Sequence, residues 1–274
     1  MQTVDAQGAK IPVLGFGTWP MRGDECRNAV VAGLKLGYRH VDTAQGYSNE
    51  EEVGEGIRES GVPRQDIFIT TKVRPEWQGE GRLQASLEES LTKLSVDVVD
   101  LTLIHWPNPE IPVAEAMKAL SAAKRAGLTR HIGVSNFTVA LLDQAVAAAS
   151  EPLVTDQIEY HPFLDQTKMF AAMRRHGMAI TAYCPVARGH ITGDPTIEAI
   201  AKAHGKTAGQ VALRWLIQRP DVIAIPKASR RERLEENLAI FDFALSDAEM
   251  DAMSALKTRG LRLVNEPSWV PAWD

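Results

Sequence analysis

The chain has 274 residues, 45% of them hydrophobic and 24% charged, with 30 basic and 35 acidic side chains and a net charge of −5. Such a chain buries a large core, and with neither a basic excess nor a long run of one sign it offers nothing to nucleic acid or an anionic membrane. No apolar run approaches the roughly 18 residues of a membrane span.

The opening MQTVDAQGAK has no apolar stretch that would act as a secretion signal. Cys26 and Cys184 are far apart and lie in no CxxC or metal-ligand spacing. A reduced, cytoplasmic protein without a metal is therefore expected.

In chain order, TVDAQGAKIPVLG reads as a small hairpin that closes one end of the fold. Short apolar runs rich in β-branched residues then recur: GFGT (15–18), YRHVD (38–42), DIFITTK (66–72) and VVDLTLIH (98–105). RHIGVS (130–135), TDQIEY (155–160), MAITAY (178–183) and DVIAIP (221–226) complete a set of eight. Amphipathic helical stretches such as ECRNAVVAGLKLG, GRLQASLEESLTKL and PVAEAMKALSAAKRAG fall between them. Gly37, Gly61, Gly127 and Gly177 follow helical runs, where a left-handed cap favours glycine. Apolar strands alternating with helices predict a parallel sheet covered by helices, and eight units predict a (β/α)8 TIM barrel over residues 1–274 as one domain. The tail GLRLVNEPSWVPAWD has no helical period and is expected to wrap as an irregular loop.

A TIM barrel carries its active site at the C-terminal ends of its strands. Those ends offer Asp42, Lys72, His105, Ser135-Asn136, Gln157 to Tyr160, Tyr183 and Lys227. A lysine in a partly buried mouth requires a carboxylate, and Asp42 supplies one. A phenol at Tyr47 beside that ammonium is expected to have its pKa lowered from about 10, ready to exchange a proton. His105 then orients a carbonyl oxygen. The alternatives are weaker: GVSNF (133–137) lacks the second glycine of a nucleophile elbow, and no HExxH occurs. Asp156 and Glu159 lie too close on one strand to straddle a glycosidic bond. No GxGxxG follows a strand, so a Rossmann site is excluded. The cations of IPKASRRERLEEN (225–237), at a strand end and helix start, are the candidate nucleotide-phosphate site.

The segments GYRHVDTAQGYSNEEEVGEGI (37–57), ITTK (69–72), LTLIHWP (101–107), IGVSNF (132–137) and IPKASRRERLEEN resemble the aldo-keto reductases, in that family's order and spacing. The likeness runs from about residue 10 to the last residue, and the short loops and the ending PAWD are most similar to bacterial diketo-gluconate and methylglyoxal reductases. The resemblance implies an NADPH-dependent oxidoreductase that reduces small aldehydes and ketones. It implies Tyr47 as general acid, Lys72 and Asp42 as its tuning pair and His105 as the carbonyl-orienting group. Ser135, Asn136 and Gln157 would contact the carboxamide, and Tyr183 would stack on the nicotinamide. Lys227, Ser229 and Arg233 would hold the 2′-phosphate, Glu236 and Asn237 the adenine. Gly17, Thr18 and Trp19 would line the cofactor and substrate mouth, with Trp106 and either Trp269 or Trp273 shaping the pocket.

Two positions depart from the family pattern. Ala228 stands where many members carry a phosphate-facing serine, and Arg74 stands where many carry tryptophan. Trp77 is expected to refill that wall, or Arg74 to favour an anionic substrate. A monomer is expected. The competing expectation is a cofactor-binding regulatory or structural subunit with little catalysis.

Overall fold

The computed structural model describes residues 1–265 and 269–274. A hairpin, β1 (Thr3–Ala6) and β2 (Ala9–Pro12), precedes the barrel. The units then run β3 (Phe16–Gly17), α1 (Gly23–Leu36), β4 (His40–Asp42), α2 (Glu50–Ser60), β5 (Phe68–Val73), α3 (Arg82–Leu94), β6 (Val99–Ile104) and α4 (Val113–Arg125). They continue with β7 (Thr129–Ser135), α5 (Val139–Ala148), β8 (Leu153–Glu159), α6 (Thr167–His176) and β9 (Ala179–Tyr183). Two helices, α7 (Pro195–His204) and α8 (Ala208–Ile217), lead to β10 (Val222–Ala224), and α9 (Arg231–Leu238) and α10 (Asp247–Ala255) follow.

Strands β3 to β10 pair in sequence order, each parallel to the next. The ends meet through bridges Leu14–Ala224 and Gly17–Lys227 and through the Gly15 amide donating to the Ala224 carbonyl at 3.0 Å. This is the (β/α)8 barrel the strand count predicts. The hairpin lies at the N-terminal end of the strands, where Gln7 donates to the His176 carbonyl just before β9 at 2.7 Å.

Strand parity decides what reaches the mouth, because successive side chains face opposite sides of a sheet. Thr70 and Lys72 turn inward, whereas Thr71 turns outward and donates to the Glu50 carboxylate of α2 at 2.6 Å. On β8, Thr155 and Gln157 face in and the fully buried Asp156 faces the helices. Helices sit close on this frame: a Cβ at Gly54 of α2 would lie 2.5 Å from the Leu94 carbonyl oxygen at the end of α3. Gly37, Gly61 and Gly177 cap α1, α2 and α6 with φ of 112°, 72° and 64°, a conformation that penalises any side chain.

Candidate active site at the barrel mouth

Asp42 ends β4 and Lys72 nearly ends β5, and both are buried. Lys72 Nζ donates to Asp42 Oδ1 at 2.5 Å, to the Thr43 carbonyl at 2.9 Å and to the Tyr47 hydroxyl at 3.2 Å. The second oxygen of Asp42 accepts from Gln157 Nε2 across the barrel at 2.7 Å. Every donor and acceptor of this buried ion pair is thus engaged, which is what makes burying it tolerable.

Tyr47 stands on a 3-10 turn, Gln45–Tyr47, above β4. The turn is anchored from the side: Gln45 Nε2 donates to Ser86 and Ser90 of α3, and Gln45 Oε1 accepts from the Arg74 amide. Gly46 backs onto His105, where an added Cβ would meet the imidazole at 3.6 Å. The rings of Tyr47 and His105 meet edge to face, centroids 5.5 Å apart. The four residues expected to carry the chemistry therefore converge on one side of the mouth.

Their electrostatics differ from the expectation in one respect. Burial raises the Tyr47 pKa above its ordinary value; the Lys72 ammonium pulls it down but does not outweigh burial, and Asp42 adds to the rise. Proximity to a cation alone predicts the reverse, because a sequence gives the charge but not the desolvation. The phenol is held protonated, the form a proton donor needs. Burial by itself would lower Lys72, yet Asp42 and Tyr47 raise it, so the ammonium stays charged. His105 is pushed well below its ordinary range by burial, then by Lys72 and Arg74, so it is a neutral imidazole that can donate to a carbonyl oxygen without bringing a charge.

The residues expected to meet the carboxamide form one connected group. Ser135 Oγ donates to the Gln157 carbonyl at 2.8 Å, and Asn136 Nδ2 donates to the His105 carbonyl and to Ser135 Oγ, both at 3.0 Å. Asn136, at φ 63°, accepts from the Tyr183 hydroxyl at 2.6 Å, which fixes the Tyr183 ring at the end of β9. Gly17 donates to the Pro226 carbonyl and Thr18 Oγ1 to the Asp42 carbonyl, joining β3 to both neighbours. Trp19 is half-exposed, with the Arg188 guanidinium 5.7 Å from its ring. Trp77 is likewise exposed, on a turn after β5, and Trp106 is buried.

The basic segment after β10 is brought together only in part. Lys227 Nζ lies 3.3 Å from Ser229 Oγ and 3.9 Å from Glu25, and Arg230 precedes the first turn of α9. Arg233 pairs with Glu236 through two contacts of 2.8 and 2.9 Å, and Glu236 also accepts from Thr207. Asn237 and Ala228 are buried.

Asn49 escaped the sequence reading, and so did the role of Glu159. Asn49 donates to the carbonyls of Thr18 and Met21, tying the Tyr47 turn to the loop after β3. Glu159, considered there only as half of a glycosidase pair, accepts from the amides of Leu263 and Val264 at 2.7 and 2.9 Å and lies 2.9 Å from His161 Nε2. It latches the tail over the mouth, with Trp273 packed against Trp106 at 6.2 Å and Arg262 stacked 3.9 Å from the Trp273 ring. Trp273, named beside Trp269, is thus the tail tryptophan on Trp106. Asp156 faces the opposite side of β8 from Glu159, which removes the two-carboxylate alternative.

A protonated phenol hydrogen-bonded to a buried ammonium, beside a neutral imidazole on a barrel rim, belongs to the chemistry of carbonyl oxidoreductases. The chain belongs to the aldo/keto reductase family, whose sequence profile matches residues 13–258. It is similar to the methylglyoxal reductase DkgB of Escherichia coli O157:H7, at 44% identity over 96% of this chain and 99% of that protein. It is also similar to the morphine 6-dehydrogenase of Pseudomonas putida, at 40% identity over 95% and 92%. A crystal structure provisionally assigned as a 2,5-diketo-D-gluconic acid reductase B matches with a TM-score of 0.97 and 49% identity, over 100% of this chain and 98% of the other. The protein is an NAD(P)H-dependent oxidoreductase of small-molecule carbonyl compounds. No helix among the described residues is long and apolar enough to cross a membrane.

Proposed function

We propose that the protein reduces small aldehydes and ketones to alcohols with NADPH, Tyr47 giving the proton to the carbonyl oxygen. The substrates fitting this site are 2-oxoaldehydes and diketo-gluconate-like or keto-acid-like carbonyls. The observation that carries the reading is the Asp42–Lys72–Tyr47 chain, which ends on a phenol facing His105 at the mouth. NADPH, when bound, supplies the hydride.

The residues present fit that cofactor. Ser135, Asn136 and Gln157 cluster where an amide is to be held, beside the fixed ring of Tyr183. Lys227 and Ser229, with the start of α9, offer cations, a hydroxyl and backbone amides to a phosphate. Arg233 joins them by exchanging Glu236 for the phosphate.

His105 donates to the substrate oxygen and sets its direction. Tyr47 protonates that oxygen as negative charge builds on it, and Lys72 steadies the phenolate left behind. Asp42, held by Gln157, keeps Lys72 charged and in place. Tyr47→Phe removes the hydroxyl, and with it the donated proton, and should lower turnover by about 10²–10⁴-fold, the usual worth of a positioned general acid. NADPH binding, followed by quenching of protein fluorescence, should persist. Normal turnover in this variant would end the assignment.

A further inference from the structure

We propose that the Glu159 carboxylate acts on the nicotinamide site as a fixed negative charge that favours the oxidised, cationic ring over the reduced, neutral one. The proposal rests on the reductase reading above and adds a residue to it. Glu159 ends β8 and shares the inward parity of Thr155 and Gln157. Its partner across the ladder is Tyr183, the last residue of β9, whose ring is the expected platform for the nicotinamide. Gln157, two residues before, belongs to the group expected to hold the carboxamide. The charge is thus built into the two strand ends that would frame that ring. Burial comes first in raising the Tyr183 phenol and Glu159 comes next, so the two groups are within electrical reach of each other.

What surrounds Glu159 leaves its charge in place. The side chain is buried, and its donors are the Leu263 amide at 2.7 Å, the Val264 amide at 2.9 Å and His161 Nε2 at 2.9 Å. The Phe163 amide donates to His161 Nδ1 at 3.3 Å, which assigns the ring proton to Nε2 and makes the imidazole a neutral donor. Burial opposes ionisation, but these donors outweigh it and hold the Glu159 carboxyl below its ordinary value. Among the described residues no lysine or arginine forms an ion pair with it. Arg262 precedes Leu263 on the tail and is stacked on Trp273, so it tempers the charge from a distance rather than cancelling it. A tail latch alone needs only acceptors, which backbone carbonyls supply; a carboxylate fastened by neutral donors projects a net charge into the rim. When the hydride leaves with its electron pair for the carbonyl carbon, the nicotinamide ring takes on a positive charge. A carboxylate already fixed beside it stabilises that charge without reorganising.

The test measures affinity for NADP+ and for NADPH by calorimetric titration of wild type, Glu159→Gln, Glu159→Asp and Arg262→Met. The two forms share their phosphates, adenine and carboxamide, so a loosened tail or a shifted Gln157 changes both affinities alike. Preference for NADP+ over NADPH should fall about 10-fold in Glu159→Gln, the order expected for a unit charge at short range. It should stay near the wild-type value in Glu159→Asp, which keeps the charge while reaching less far to the tail amides. Arg262→Met uncovers the carboxylate and should move the preference the other way, by about 3-fold. An unchanged preference in Glu159→Gln, or a shift of the same sign in Arg262→Met, would overturn the proposal. If Glu159→Gln does not fold, the sign of the Arg262→Met shift decides. Should wild type bind neither nucleotide, the NADPH reading fails, and this one with it.

Discussion

Two aspartates are buried in the barrel wall, Asp42 on β4 and Asp156 on β8, and their surroundings are opposite. Asp42 faces inward and has a partner for each oxygen, Lys72 and Gln157. Asp156 faces the helices, and neither oxygen completes a hydrogen bond. Burial pushes the Asp156 carboxyl well above the carboxylate range, against the pull of the Phe137 and Asn136 amides. A carboxyl with no cation beside it gives up its charge, whereas one given an ammonium keeps both charges in place. The barrel thus places a buried ion pair at the mouth, hydrogen-bonded to the Tyr47 phenol, and carries a neutral acid on the other side of its wall.

That contrast fixes what substitutions should do. The largest effect belongs to Lys72→Met, which strands the Asp42 carboxylate and should cost about 3–5 kcal/mol in urea unfolding, as breaking a buried pair does. A loss under about 1 kcal/mol would mean that Asp42 is protonated when its partner is gone. Asp156→Asn should act in the opposite direction and more weakly. The folded protein holds a proton on Asp156 that the unfolded chain releases above its ordinary pKa of 3.8, so wild-type stability is lost as pH rises from there. Asn carries no such linkage, so the variant's advantage should grow as pH rises above about 4. A pH-independent difference would show that Asp156 ionises in place. The smallest change is expected at the exposed end of the proposed cofactor site. Arg233→Ala removes a cation already paired with Glu236 and should narrow the preference for NADPH over NADH by about tenfold. An unaltered preference would detach Arg233 from the phosphate.

Much of this was legible before any coordinates. Strand ends follow from apolar runs, and the barrel rule converts strand ends into a rim, so Asp42, Lys72 and His105 could be placed together from their positions alone. The partners that complete the rim could not. Gln157 reaches Asp42 from 115 residues away, and its amide could equally serve a ligand, so nothing local distinguishes the two. Glu159 latches onto backbone amides at 104 and 105 residues' separation, and backbone amides carry no signature in a sequence. The direction of the Tyr47 shift was missed for a related reason: Lys72 is visible as a letter, while the depth at which the phenol lies is a property of the closed barrel.

The tail latch also has an evolutionary consequence. Glu159 holds the chain at Leu263 and Val264, and the Val139 amide at the start of α5 donates to the Asp274 side chain at 2.8 Å. These two fasteners hold described parts of a tail that gives the barrel none of its proton chemistry. Such a segment can drift in sequence under selection for new compounds while the Asp42–Lys72–Tyr47 chain stays under its own constraint. One scaffold can then diversify its clientele by rewriting residues at one edge.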